Sequence, residues 1–194
     1  MSVVRFHVAL EDIEPAVTRR IEMPASLRLD RLHLVLQAAM PWQNYHLYEF
    51  EAAGRRWGLP DPDYGPDHGG DETSPAAKAT LAAMLAAAGD APMGYLYDFG
   101  DSWRHAIPVE ATLVPDPRHL HPWLTEVAGA CPPEDVGGTS SYERFLEILA
   151  DPDRPEHAEL LTWAGGPFDS QAPPADELRL DVLRLAKRWK PRKR

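Results

Sequence analysis

The amino-acid sequence predicts an α+β protein, in which a mixed β-sheet is followed by C-terminal helices. Three observations support this class. Short segments of alternating apolar and polar residues, typical of strands, dominate the first half of the chain. Among them lies a segment whose apolar residues repeat every three or four positions, typical of a helix that covers a sheet. Three helical patterns then occupy the last third of the chain.

The N-terminal elements follow the order strand, strand, helix, strand. Residues 3–10 ("VVRFHVAL") alternate, and residues 16–24 follow a turn as their expected antiparallel partner. A helix is predicted over residues 29–40 and ends at Pro41, because proline cannot continue a helix. Residues 45–52 form the next predicted strand. This order resembles the β-grasp (ubiquitin-like) layout, in which a helix packs on one face of a mixed sheet.

The remaining elements alternate with stiff loops. A short strand is predicted after Gly54, and residues 58–77 form a long loop rich in Gly, Pro and Asp. A helix that ends at Gly89 precedes strands over residues 94–98 and 103–114. Helices are then predicted from about residue 141, from about residue 155, and up to residue 190. The expected organisation is one domain over residues 1–194, with a sheet part to about 115, a helical part over about 116–186 and a basic tail at 187–194.

The charge is unevenly distributed along the chain. The net charge is −10, yet the last eight residues, "KRWKPRKR", hold six basic residues and no acidic one. An acidic body argues against nucleic-acid binding, whose affinity comes largely from phosphate neutralisation. Contact with nucleic acid through the tail at 187–194 stays open.

The sequence predicts no membrane association and a cytoplasmic location, because it has neither a long apolar run nor a basic leader. The single cysteine, Cys131, excludes an intrachain disulfide and a zinc site of several cysteines.

The motif "YLYDFGDSWRHAI" at residues 95–107 combines turn residues with aromatic and titratable side chains. Asp98 and Asp101 are suited to a hairpin turn, since aspartate tolerates turn conformations and caps the backbone. The same carboxylates could bind a divalent cation, with His105 as a third ligand if the hairpin bends. Trp103 is interpreted as a packed aromatic residue. Both interpretations of the aspartates stay open.

A second motif, "CPPEDVGG", presents Glu134 and Asp135 on a loop stiffened by two prolines. These carboxylates suit a metal ion or a basic partner, and equally a helix cap or a bond to the first motif. We expect the two motifs to meet, and any functional site to lie at their junction. The expected members are Asp98, Asp101, Trp103, His105, Glu134, Asp135, His46 and His157, with Asp98, Asp101, His105 and Glu134 as metal candidates.

The chain resembles the plasmid pRiA4b ORF-3-like family, some members of which are labelled as passenger or TnpR-like proteins of insertion elements. The matching blocks are "PWQNYHLYEF" (41–50), "YLYDFGDSWRHAI" (95–107), "CPPEDVGG" (131–138) with "YERFLEIL" (142–149), and "DPDRPEHAELLTWAGGPFD" (151–169). Thr18 and Pro41 depart from the pattern, where the family has Trp and Gly. The resemblance implies a family fold and no established activity. An acidic body without a basic helix-turn-helix argues against a resolvase.

Three functional hypotheses remain. The first is a non-enzymatic module that binds a protein, a peptide or another ligand, since no complete catalytic motif is present. The second is a metal-dependent hydrolase or nuclease, based on the carboxylates and histidines of the two motifs. The third is a DNA-handling accessory of a mobile element, based on the family label and the basic tail. No cofactor is predicted, and a divalent metal stays open.

Overall fold

The computed structural model describes residues 2–59, 73–116 and 121–189. Within these residues the chain forms nine strands, five α-helices and a short 3-10 helix at Ala76–Lys78. The strands and helices in chain order are β1 (Val3–Leu10), β2 (Thr18–Pro24), α1 (Leu29–Ala39), β3 (Tyr48–Ala52), β4 (Arg55–Gly58), β5 (Thr73–Pro75), α2 (Leu81–Ala88), β6 (Met93–Tyr97), β7 (Trp103–Ala106), β8 (Val109–Leu113), β9 (Trp123–Ala128), α3 (Gly138–Leu149), α4 (His157–Trp163) and α5 (Ala175–Arg188).

All nine strands belong to one mixed sheet, which confirms the predicted α+β class. The strand order is β5-β4-β3-β6-β7-β1-β2-β9, and β8 pairs with the first half of β1. Strands β4 and β5 are parallel, whereas the other neighbours are antiparallel. The predicted order strand, strand, helix, strand is present along the chain. The β-grasp arrangement is not confirmed, because β1 lies between β2 and β7 and is antiparallel to both.

One face of the sheet is buried, because apolar residues alternate with polar ones along strands such as β1 and β3. In β1, for example, Phe6 and Val8 are fully buried, while the alternating residues Arg5 and His7 point to the opposite, more open face. Helix α1 buries the stripe that the sequence predicted, with Leu32 among its members. On its outer side α1 contacts α5.

Three regions differ from the sequence prediction. Within the predicted long loop at 58–77, Thr73–Pro75 form β5, which pairs with β4, and a 3-10 helix follows at Ala76–Lys78. The strand predicted over residues 103–114 is divided into β7 and β8 on either side of Pro108, since proline cannot donate a hydrogen bond to a neighbouring strand. The part predicted as helical, residues 116–186, also supplies β9, which pairs with β2. Most of the predicted long loop and of the basic tail (60–72 and 190–194) lies outside the described residues.

Helices long and apolar enough to cross a bilayer are not found among the described residues.

Candidate functional site

The turn between β6 and β7 is built around Asp98. The backbone of Asp98 has a φ of 54°, in the left-handed region that few residues other than glycine adopt readily. Its Oδ1 accepts a hydrogen bond from the backbone N–H of Gly100 at 2.8 Å, and its carbonyl accepts one from Ser102 N–H at 2.6 Å. One carboxylate oxygen therefore closes the turn, which leaves Oδ2 to face His46.

The "CPPEDVGG" loop lies against this hairpin. Asp101 Oδ2 accepts a hydrogen bond from the backbone N–H of Gly137 at 2.9 Å, and Tyr97 donates its hydroxyl to Glu134 Oε1 at 2.5 Å. The approach is tight, since a Cβ on Gly138 would lie 2.8 Å from the Asp101 carbonyl oxygen. The structure thus brings the two sequence motifs into direct contact, and Asp101 serves the contact itself.

Three side chains from separate chain segments converge at this junction. His46 Nε2 lies 2.9 Å from Asp135 Oδ1 and 3.6 Å from Asp98 Oδ2. One donor atom of each residue lies within 4.8 Å of the others. Glu134 Oε1 is 3.8 Å from the same imidazole nitrogen. Asp98 is buried, His46 half-buried and Asp135 exposed, so the group opens to solvent on one side.

The donor set, one imidazole nitrogen and two carboxylate oxygens, suits a divalent transition metal such as Zn²⁺, Mn²⁺ or Fe²⁺. Three protein ligands leave coordination positions open for water or for a ligand. A protonated His46 would satisfy the same carboxylates as an ion pair. The geometry therefore supports either a metal centre or a histidine-centred ion-pair cluster.

An aromatic layer supports the junction from the core side. The Trp42 ring stacks on Tyr97 at a centroid distance of 5.0 Å and on Trp103 at 6.1 Å. Trp42 also donates its Nε1–H to the Pro132 carbonyl at 3.1 Å. Trp103 is almost fully buried, which agrees with its interpretation as a packed aromatic residue.

His105 faces the core and does not belong to the three-residue group. Its Nδ1 donates to the carbonyls of Trp103 at 3.1 Å and Tyr95 at 3.2 Å, and Nε2 finds no hydrogen-bond partner among the described residues. Burial lowers the pKa of His105 to about 4, so the ring is neutral at pH 7. Of the four residues predicted as metal ligands, only Asp98 belongs to the group. His157, at the start of α4, lies outside it as well.

Two contributors were missed in the sequence. Tyr97 positions Glu134, and its place directly before Asp98 was the available signal. The second is Arg19, which is fully buried and donates to the carbonyls of Ala39 at 2.6 Å and Ala128 at 2.7 Å. Desolvation lowers the pKa of Arg19. This buried cation fixes the chain just before the "CPPEDVGG" loop, and no local pattern indicated its burial.

The fold and the junction define a class of α+β proteins with a carboxylate–histidine group between a hairpin and a proline-rich loop. The family model described as "Plasmid pRiA4b ORF-3-like protein" matches residues 2–177, and the chain belongs to this family. This result confirms the resemblance found in the sequence motifs.

Two relatives illustrate how far the likeness extends. "Uncharacterized protein y4hQ" of Sinorhizobium fredii (strain NBRC 101917 / NGR234) is 45% identical over 189 residues, which cover 97% of this chain and 94% of that protein. The crystal structure of the "Protein of Unknown Function MM3350" from Methanosarcina mazei Go1 has a TM-score of 0.78 at 30% identity, covering 91% of this chain and 97% of that chain. Neither name assigns an activity, in agreement with a family of unestablished function.

Proposed function

We propose that the protein is a ligand-binding module whose functional centre is a divalent transition metal ion held by His46, Asp98 and Asp135. One observation carries the proposal: donor atoms from three separate segments lie within 4.8 Å of one another at the hairpin–loop junction. Such convergence positions ligands for one cation, whereas aspartates that served only their own turns would not need to meet.

The charge balance at the junction supports a cation. A buried carboxylate is costly unless it is paired or hydrogen-bonded. Glu134 has two donors, the Tyr97 hydroxyl at 2.5 Å and the Gln43 backbone N–H at 2.8 Å. The outer oxygens of Asp98 and Asp135 instead share the single imidazole of His46. A divalent ion would compensate both carboxylates at once.

Metal-dependent hydrolysis is the second candidate function, and the position of Glu134 favours it. Glu134 Oε1 lies 3.8 Å from His46 Nε2, within reach of a water molecule bound at an open coordination position. A carboxylate there can accept the proton of such a water. Desolvation raises the pKa of Tyr97 above its ordinary range, so Tyr97 stays protonated and keeps Glu134 in place.

The test is thermal unfolding of chelator-treated protein with Mn²⁺, Zn²⁺, Co²⁺, Mg²⁺ and Ca²⁺ added singly. A ligand that binds the native state raises its stability by mass action, by about 2.7 kcal/mol at a hundredfold excess over Kd. We expect a saturable rise in Tm with Mn²⁺, Zn²⁺ or Co²⁺. The variants His46→Ala, Asp98→Asn and Asp135→Asn should each abolish the rise.

Two matched variants serve as controls. His157→Ala and Asp101→Asn change the same residue types outside the three-residue group, and each should retain the metal-induced rise in Tm. The proposal is wrong if none of the five metals gives a saturable rise. It is equally wrong if His46→Ala responds as the unaltered protein does, because the cation would then be bound elsewhere.

A further inference from the structure

A groove between α3 and α4 adjoins the proposed metal centre. Its volume is about 480 Å³, within the range of small-molecule sites. Apolar side chains line it, among them Phe145 and Ile148, which are almost fully buried, and Leu160. Trp163 forms part of its wall and packs edge-to-face on Phe145 at a centroid distance of 6.0 Å. The groove therefore combines apolar and aromatic side chains with four charged ones, Asp135, Arg144, Glu156 and Glu159.

Asp135 belongs to both sites. Its carboxylate contacts His46 Nε2 at 2.9 Å, and the same residue lines the groove together with its neighbour Val136. A molecule that occupied an open coordination position of the metal would therefore have an apolar surface beside it.

The geometry points to an acyl compound as the ligand: its carbonyl or carboxyl oxygens coordinate the metal, and its apolar chain lies in the groove between α3 and α4. This inference rests on the proposed metal site. It adds the chemical class of the ligand and assigns a role to Trp163, which the family motifs contain but the metal group does not use.

The chemistry of the groove favours a slender apolar chain. Trp163 is 47% exposed, so a chain laid on its ring removes apolar surface from water. The charged residues Arg144 and Glu156 also line the groove, but they are exposed and pair with each other at 3.8 Å. A stable protein partner would have to cover about 800 Å² on each side, far more than one exposed tryptophan offers.

The test measures how affinity depends on chain length. Isothermal titration of the metal-loaded full chain with straight-chain hydroxamates, from acetohydroxamate to octanohydroxamate, keeps the metal-binding head constant. Each buried methylene should tighten Kd by up to about fourfold until the groove is full. Binding of the same compounds to free metal in solution, measured in parallel, gives the contribution of the head group alone.

The variant Trp163→Ala should flatten the dependence on chain length and leave metal binding and acetohydroxamate affinity unchanged. Trp123→Ala is the matched control, because Trp123 is also exposed but lies on β9 and does not line the groove. A Kd independent of chain length, in unaltered protein that binds metal, overturns the groove assignment and leaves the metal site intact. An unchanged slope in Trp163→Ala overturns it as well. Absence of a saturable, metal-induced rise in Tm in the unaltered protein overturns both proposals.

Discussion

Two clusters that both contain histidine lie close together in this protein and differ in their balance of charge. The first is a polar hub formed by the buried residues His33, Gln37 and Tyr95 together with the exposed Asn44. Tyr95 donates its hydroxyl to His33 Nδ1 at 2.7 Å and accepts from Gln37 Nε2 at 3.1 Å. Asn44 donates its backbone N–H to Gln37 Oε1 at 2.9 Å and accepts at Oδ1 from His33 Nε2. Both imidazole nitrogens of His33 thus have neutral partners.

The junction of His46, Asp98 and Asp135 has the opposite balance. It is partly open to solvent, and its carboxylate oxygens outnumber the donors that face them from the described residues. Both ring nitrogens of His33 in the hub are already bonded to neutral groups, whereas His46 faces carboxylate oxygens, and this difference is the basis of the metal proposal. The two histidines therefore differ in the balance of acceptors and donors around them and not in residue type.

The largest effect should come from disrupting the aromatic layer that supports the junction from the core side. Trp103→Ala removes an almost fully buried ring that stacks on Trp42, and we expect the free energy of unfolding to fall by about 3–5 kcal/mol. Chemical denaturation of the chelator-treated protein measures the loss. Trp163→Ala, at 47% exposure, is the control and should cost far less. Equal losses in the two variants would contradict the assignment of Trp103 to the core.

The next largest effect should be a loss of stability in acid, where the buried histidines His33 and His105 resist protonation. Burial lowers the pKa of His33 and of His105 to about 4, below the ordinary value of about 6.5. The unfolded chain then binds protons at a higher pH than the native protein, so stability is complete above pH 6.5 and falls as the pH drops towards 4. At about 1.4 kcal/mol per pH unit, each histidine should cost roughly 2 kcal/mol between pH 6.5 and pH 5.

Urea unfolding at several pH values in this window tests the loss, since most carboxylates remain ionised there. His33→Gln should remove about half of the decline. A stability that stays constant from pH 6.5 to 5 would show that neither ring is held neutral by burial.

Local periodicity predicted most of the sheet because strands such as β1 and β3 have one buried face. The same pattern predicted α1 to within one residue of its C-terminal end, at Ala39. It missed β9, which follows a proline-rich segment and lies at the edge of the sheet. The partner of β9 is β2, about a hundred residues earlier in the chain. A pairing over this distance leaves no trace in a local pattern.

The site was predicted in part, for a similar reason. Asp98 and Asp101 were grouped with His105 because they are neighbours in sequence, yet strand alternation places His105 on the same core face as Trp103, two residues before it. That spacing was readable and argued against His105 as a ligand. The contact between His46 and Asp135 joins residues 89 positions apart in sequence and depends on the folded loop.

The smallest effect separates the stability of the junction from its binding role. Asp98→Ala loses the hydrogen bond to Gly100 N–H and places alanine at a φ of 54°, so we expect a loss of about 2 kcal/mol in chelator-treated protein. Asp98→Gly should lose about 1 kcal/mol, because glycine adopts this conformation without strain. Urea unfolding of both variants measures the difference, and equal losses would show that the left-handed backbone contributes nothing.

Asp98→Asn completes the series, since asparagine tolerates the same conformation and can accept the same hydrogen bond from Gly100. It also removes a buried negative charge next to Asp135, so without metal its free energy of unfolding should equal or exceed that of the unaltered protein. The same variant should no longer gain stability from metal. If Asp98→Asn instead destabilises the metal-free protein, the negative charge of Asp98 is already compensated by His46, and the ion-pair cluster then replaces the metal centre as the explanation of the junction.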